Sequence, residues 1–202
     1  MSEIEKDVEK VEKTMKIIIL GSSEVGKTCI LNRYFHNEFK ENLLSTIGID
    51  FQTKFFRFEN KKIKANYIDT AGEEKFRAIS INYLKGTDGV ILVFDITKRE
   101  TFDLLETWIK ELKDTNKGDV SKVLIGNKSD LADIRKVSFE EAINLAENMK
   151  CTYYEASAKT GEKITEALDE IARIAFINNS DGEERVDSIS LNKDAKIKRR
   201  CC

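Results

Sequence analysis

An α/β domain on a mixed, mostly parallel six-stranded sheet is what this sequence predicts, on three observations. Strand-like apolar runs alternate with helical stripes along the chain, the pattern of helices covering both faces of a sheet. Two of those runs, Gly89-Val90-Ile91-Leu92-Val93-Phe94 and Lys122-Val123-Leu124-Ile125-Gly126, are nearly continuous, as strands buried on both faces are. Between the first strand and the first helix stands Gly21-Ser22-Ser23-Glu24-Val25-Gly26-Lys27-Thr28, a phosphate-loop pattern in the strand–loop–helix context it requires.

Taken in order, residues 1–13 are rich in Glu and Lys, with Ile4, Val8 and Val11 at roughly helical spacing. A frayed N-terminal extension is the preferred reading and an amphipathic docking helix the other. Met15 to Leu20 is the first strand, and Cys29 to Phe35 the first helical pattern. Residues 36–48 lack periodicity and read as a long loop, uncommon in a compact domain unless it has a function. Phe51 to Phe58 partly alternates, Glu59-Asn60-Lys61 signals a turn, and Ile63 to Ile68 returns, so one hairpin makes the sheet mixed. Asp69-Thr70-Ala71-Gly72-Glu73-Glu74 follows as another loop. Phe102, Leu105, Ile109 and Leu112 mark a helix stripe. Ser138-Phe139-Glu140-Glu141 is a capping box opening a helix whose stripe is Phe139, Ala142, Ala146 and Met149. Thr152 to Ala156 is a last short strand, and Ile164, Leu168, Ile171 and Ile174 line a final helix. The domain therefore spans 14–178, and 179–202 reads as a polar, flexible tail.

Composition excludes several classes. Lys+Arg 34 against Asp+Glu 36 gives a net charge of −2, so no global field argues for nucleic acid. No apolar run approaches a bilayer span, and no hydrophobic signal segment opens the chain. Cys29, Cys151, Cys201 and Cys202 lack metal-ligand spacing, which suits a reducing compartment. His36, the only histidine, falls at a helix end and reads as structural. Proline is absent, and nothing in the sequence explains that physically.

The motif residues carry definite chemistry. In a phosphate loop the backbone N–H groups from Ser23 to Cys29 wrap a β-phosphate, and Lys27 bridges it to the γ-phosphate. Gly21 and Gly26 are expected because a side chain would block that approach. The Thr28 hydroxyl is a Mg²⁺ ligand in such loops, and Asp69 stands at a strand end where a carboxylate could reach the ion through water. Asn127-Lys128-Ser129-Asp130 follows a buried strand. A carboxylate there can accept from both N1–H and N2–H₂ of guanine, a donor pair that adenine lacks. Lys128 can lay its alkyl stem over the base. Glu155-Ala156-Ser157-Ala158-Lys159 ends the next strand.

The ordered set GSSEVGKT, STIGIDF, DTAGEE, NKSD and EASAK resembles the Ras-type small GTPases, over roughly Met15 to Asn178. Within them the chain is similar to the Rab branch: it carries Ile47-Gly48-Ile49-Asp50-Phe51 and Val93-Phe94-Asp95-Ile96-Thr97, and it closes on Cys-Cys rather than a Cys-aliphatic-aliphatic-X box. Ser2 stands where an Arf-like protein would need a myristoylated glycine. The resemblance implies a P-loop NTPase fold and a GTP/GDP switch with Mg²⁺. Ser23, Glu24, Val25, Gly26, Lys27, Thr28 and Cys29 would hold the phosphates, and Thr28, Thr46 and, through water, Asp69 the metal. Phe39 would pack edge-on to guanine, with Asn127, Lys128, Asp130, Ser157, Ala158 and Lys159 around the base. Thr46 and the Gly72 amide would both touch the γ-phosphate, so its loss would release loops 38–51 and 70–85, the effector-facing switches. Lys27, Gly72 and Glu73 would be catalytic. The implied partners are effectors, an exchange factor, a GTPase-activating protein, a GDP-dissociation inhibitor and the Rab prenylation machinery, with no nucleic acid. Geranylgeranylated Cys201 and Cys202, beside Lys198-Arg199-Arg200, would anchor the chain to the cytoplasmic face of an endomembrane or the plasma membrane.

Departures from the family pattern qualify this. Glu73 replaces the Gln that orients the attacking water. A carboxylate accepts from water but cannot donate to the γ-phosphate, and it adds like charge beside it. Slow intrinsic hydrolysis with intact GTP binding is the expectation, although a base effect works the other way. Glu24 is a second acid, expected near the same γ-phosphate entrance. Ile68 replaces a Trp of the effector-facing aromatic triad, while Phe51 and Tyr83 keep the other two places. Two rivals stand beside a vesicle-traffic switch: a hydrolysis-impaired, GTP-bound scaffold, and an ATP-using P-loop enzyme that NKSD disfavours.

Overall fold

The computed structural model describes residues 10–41, 46, 48–58, 60–70, 77–116 and 119–194, with side chains at 77–80 and 180–194 outside the description. In chain order the elements are β1 (Lys13–Leu20), α1 (Lys27–His36), β2 (Ile49–Phe58), β3 (Lys61–Thr70), α2 (Arg77–Leu84) and β4 (Gly89–Asp95). Then come α3 (Arg99–Asp103), α4 (Leu105–Thr115), β5 (Ser121–Asn127), a 3₁₀ segment (Ser129–Ile134), α5 (Phe139–Asn148), β6 (Thr152–Glu155) and α6 (Ile164–Asp194). The six strands run in the order β2-β3-β1-β4-β5-β6. Only the β2–β3 pair is antiparallel. β1 is central, with β3 on one side and β4 on the other, so the strand order reverses at its C-terminal end. A crevice for a ligand opens at such a point.

The period-two alternation of the central strands sorts the core into two layers. Ile17, Ile19, Ile91, Val93, Val123 and Ile125 face α1 and α6, where Ile30, Leu31, Leu168, Ile171 and Ala172 meet them. Ile18, Leu20, Val90, Leu92, Phe94 and Leu124 face the other way, onto Leu105, Trp108, Leu112, Ala142 and Ala146 of α4 and α5. Every residue of β4 is buried, as its unbroken apolar run predicts. Gly89 of β4 lets α6 lie close: a Cβ there would sit 3.0 Å from the Ile171 side chain and 3.5 Å from Ala175.

Several local expectations are refined. β1 begins at Lys13, which pairs with Ile63, so the sheet reaches into the expected extension. The hairpin turn is tight: Phe58 faces Lys61, and Asn60 takes φ 66°. A left-handed residue in a short hairpin favours Asn for this reason. The segment 70–85, read as a loop, contains α2, whose buried Leu84 joins the second core layer. The stripe of the first interior helix is split between α3 and α4, and Trp108 belongs to it.

The Ser138–Glu141 capping box is present in both directions. Phe139, however, is no core residue: it is 51% exposed and lies against the ring of Tyr153, 5.4 Å between centroids. As the first residue of α5 it points away from the sheet that Ala142 and Ala146 reach, and Leu145 packs on the core in its stead. β6 stops at Glu155, leaving Ala156 to the loop. α6 continues as helix to Asp194, beyond the point where its apolar stripe ends. A helix already nucleated by packing propagates at little further cost, which a reading of local composition does not register. Within it the Asn178 and Asn179 amides donate to Ser121 Oγ and Asp88 Oδ1, both at 2.9 Å.

These placements separate two aromatic residues that a stripe reading treats alike. Trp108→Ala should cost about 3–5 kcal/mol of unfolding free energy, and Phe139→Ala no more than about 1 kcal/mol. Urea unfolding midpoints of the two variants check this; equal losses would mean that α5 is rotated onto the core by Phe139.

Candidate functional site

The phosphate loop sits in the crevice at the end of β1, and its glycines are required by the protein itself. A Cβ on Gly21, whose φ is 148°, would stand 2.3 Å from the Val93 carbonyl of β4. One on Gly26, φ 94°, would stand 2.4 Å from the Asn127 amide nitrogen. The expectation that these glycines clear a path for phosphate is therefore incomplete, since the loop could not close against β4 and β5 without them. Val25 is fully buried below the loop, which fixes it to the α1-side core. Ser22, with its hydroxyl-bearing side chain, is also buried there.

Lys27, 5% exposed, donates from Nζ to the carbonyls of Gly21 and Ser22, each at 2.9 Å. An ammonium has three donors, so one remains for a ligand at the loop's mouth. Burial pulls its pKa down to about 8, against the opposing pull of Asp69. An anion beside it would reverse that shift, because the charged form would regain the solvation it has lost. Thr28, next along α1, meets both other predicted metal ligands. Its Oγ1 donates to Asp69 Oδ2 at 2.5 Å and lies 2.6 Å from Thr46 Oγ1.

Asp69 is buried, and its Oδ1 has no hydrogen-bond partner among the described residues. Desolvation raises its pKa, although the Thr28 hydroxyl and the Lys27 charge oppose the rise. An orphaned buried carboxylate oxygen beside two hydroxyls is an all-oxygen donor set, and it fits a hard divalent cation. Among the described residues no cluster of three or more His, Cys, Asp or Glu offers an alternative metal site.

The other wall is assembled from the ends of β5 and β6. Asn127 is buried and spans the crevice: Nδ2 donates to the Val25 carbonyl at 2.7 Å, and Oδ1 accepts from the Ala158 N–H at 3.1 Å. Asp130 accepts from Ser157 Oγ at 2.5 Å, and Ser157 Oγ in turn accepts from the Thr160 N–H. Ser157 is fully buried, so one edge of the Asp130 carboxylate is held by protein. Lys128 adopts φ 70°, and its ammonium lies 2.6 Å from Asp95 Oδ2 at the end of β4. That pair ties the Lys128 stem across the crevice. Lys159 is exposed, 3.6 Å from Glu41, and Phe39 is half-buried against the α1-side core. Cys29 is half-buried, and desolvation raises its thiol pKa.

Glu24 corrects an expectation. Its carboxylate, at φ 63° in the loop, accepts from Lys98 Nζ at 2.8 Å, and that hydrogen bond lowers its pKa. The acid at the rim is thus matched by a base from the β4–α3 connection, and the entrance is less acidic than the two glutamates suggest. Ile68 is 2% exposed, within the α4-side core, which makes it a volume-filling residue. Phe51, its partner across the hairpin, is exposed and approaches Tyr83 at 5.9 Å between centroids. Gly72, Glu73, Ile47, Cys201 and Cys202 lie outside the described residues.

The supporting shell could not be read from motifs. Arg33 of α1 donates to the carbonyls of Ala158, at 3.0 Å, and Lys159, at 2.8 Å, so the helix after the phosphate loop holds the loop after β6. Arg135 grips Glu155 with both terminal nitrogens, at 2.8 and 2.5 Å. Thr70 Oγ1 donates to the Ile19 carbonyl at 2.7 Å, locking β3 to β1 beside Asp69. Asp95 and Lys98 complete the set. Position could have found Thr70, Asp95 and Lys98, which fall at or within three residues of a strand's C-terminal end, but no such signal marks Arg33 or Arg135.

Comparison with known proteins agrees with this geometry. The Ras family model matches residues 16–176. The GTP-binding protein ypt2 of Schizosaccharomyces pombe is 37% identical over 192 residues, 93% of this chain and 96% of that protein. The Ras-related protein RABA5e of Arabidopsis thaliana is 40% identical over 197 residues, covering 93% and 90%. Rab-13 of Canis lupus familiaris is 40% identical over 158 residues, 78% of each chain. With the crevice, the phosphate loop and the Asn127–Asp130 wall in place, the chain belongs to the Ras family, as a Rab-like small GTPase.

Proposed function

We propose that the chain is a lipid-anchored GTP/GDP switch of vesicle traffic, hydrolysing GTP to GDP and phosphate. The observation that carries this reading is the Asn127 bridge, because it joins the phosphate loop to the loops that would read guanine. The loop N–H groups from Ser23 to Cys29 and the free donor of Lys27 take the phosphates. The carboxylate edge of Asp130 would take the guanine N1–H and N2–H₂, the Ala158 N–H would turn from Asn127 Oδ1 or be shared with O6, and Phe39 would meet the ring's rim. Thr28, Thr46 and Asp69 would hold Mg²⁺. When bound, the ion neutralises charge developing between the β- and γ-phosphates.

Hydrolysis depends on residues 70–85. Gly72 and Glu73 act next to the γ-phosphate in this reading, the amide binding it and the carboxylate orienting water. Glu24 is already paired with Lys98, so this reading assigns the effect on hydrolysis to Glu73 rather than to Glu24. Effectors bind 38–51 and 70–85. An exchange factor, an activating protein, a GDP-dissociation inhibitor and the prenylation machinery act on the cycle. Cys201 and Cys202 carry the membrane anchor, placing the GTPase on the cytoplasmic face of an endomembrane or the plasma membrane.

Two experiments test this. Asp130→Ala removes two charge-assisted hydrogen bonds, each worth about 1.5–3 kcal/mol, and should weaken GDP binding at least about a hundredfold. Competition titrations with GDP and ATP measure it, and ATP displacing GDP from the wild type at comparable concentration would favour an ATP enzyme. Single-turnover GTP hydrolysis should be slower in the wild type than in Glu73→Gln, since restoring an amide restores a donor. A wild-type rate equal to or above that of the variant refutes the assignment of slow hydrolysis to Glu73.

A further inference from the structure

The loop after β6 is pinned from two sides. Inside the crevice the Ala158 N–H donates to Asn127 Oδ1 at 3.1 Å. From outside, one side chain of α1 takes the next two carbonyls: Arg33 donates to Ala158 from Nε at 3.0 Å and to Lys159 from a terminal nitrogen at 2.8 Å. Its other terminal nitrogen donates to the Asn37 carbonyl at 3.0 Å and to Asn37 Oδ1 at 2.9 Å. Asn37 is the left-handed residue, φ 54°, that closes α1, and Phe39 follows two residues later. All three guanidinium nitrogens are therefore engaged, and the stem passes Gly161, where a Cβ would lie 3.5 Å from Arg33 Cδ. A second link between these segments is Lys159 with Glu41, two exposed side chains 3.6 Å apart, and such a pair holds little.

We infer that Arg33 is a positioning residue for the purine, setting how long a guanine nucleotide stays bound and how strictly its 6-oxygen is read. The inference rests on the guanine site proposed above. There the Ala158 N–H turns from Asn127 Oδ1 toward O6 or is shared with it, and either change weakens the inner hold on the loop. The outer hold then decides where that N–H stands, and the same guanidinium fixes the chain that leads to Phe39 at the ring's rim. Asp130 is held differently. It accepts from Ser157 Oγ, and Ser157 is fixed within its own loop, its N–H donating to the Glu162 carbonyl and its carbonyl accepting from the Gly161 N–H. Recognition of the 2-amino group consequently does not pass through Arg33. A lysine is no substitute, because an ammonium is a single point, whereas the planar fork reaches three carbonyls on two segments.

Nucleotide release and base selectivity of the full chain test this. Dissociation of radiolabelled GDP, chased with excess unlabelled GDP, should be about tenfold faster in Arg33→Lys and in Arg33→Ala than in the wild type. Competition with two analogues separates positioning from general loosening: 6-thioguanosine diphosphate lacks the 6-oxygen, and inosine diphosphate lacks the 2-amino group. The preference for GDP over the 6-thio nucleotide should shrink several-fold in both variants. The preference over inosine diphosphate should keep its wild-type value. Release at the wild-type rate in Arg33→Lys overturns the inference. So does faster release with preference lost equally at both purine positions, or at neither. A wild-type chain that retains no GDP refutes the guanine reading itself, an outcome distinct from any result in the variants.

Discussion

The Asn127 side chain is the contact on which the rest of the site depends. One amide both donates to the phosphate loop and accepts from the loop after β6, and it is buried, so neither bond is shared with water. A buried amide left half-paired costs roughly 1–3 kcal/mol, which makes the three-loop arrangement all-or-none. It also explains Gly26: the loop must approach so closely that a methyl group would displace the amide. The loop after β1 and the loops after β5 and β6 are consequently one structural unit, although β1 and β5 lie on opposite sides of β4.

Beneath that contact the sheet supplies rigidity. Alternating residues of β1, β4 and β5 commit each strand to two cores at once, so a register slip would exchange both layers. Arg33 and Thr70 carry this rigidity to the rim, fixing one wall to α1 and β3 to β1. Thr46 Oγ1 meets Thr28 Oγ1 at 2.6 Å from the connection between α1 and β2.

Most of the fold was legible because strands with two buried faces and helices with one write different periods. All six strands and the capping box of α5 followed from pattern alone. The illegible parts share a cause: they are decided by contacts distant in sequence. Phe139 fits a helical stripe by spacing, yet its position at the first turn of α5 leaves it outside the core. Leu84 and α2 were hidden in a segment read as a moving loop. At the site, residue types carried the chemistry, because phosphate, metal and guanine each demand particular atoms. The partners of those residues, Arg33, Asp95, Lys98 and Arg135, demand only geometry, and many side chains could have filled their places.

Charge shows what spacing alone conceals. Two glutamates near a γ-phosphate entrance suggest a repulsive pocket, but a carboxylate's influence depends on its nearest cation. Glu24 has Lys98 at 2.8 Å, and the pair is largely self-contained in solvent. Lys128 and Asp95 pair at 2.6 Å on the other side, with the carboxylate buried. Among the described residues the entrance is therefore flanked by two ion pairs, and within it Lys27 and Asp69 are both shifted by burial toward their neutral forms. Such a site is poorly satisfied by itself. An anion meeting Lys27 and a cation meeting Asp69 would each favour the charged form that burial opposes, so the two ligands would support one another's binding.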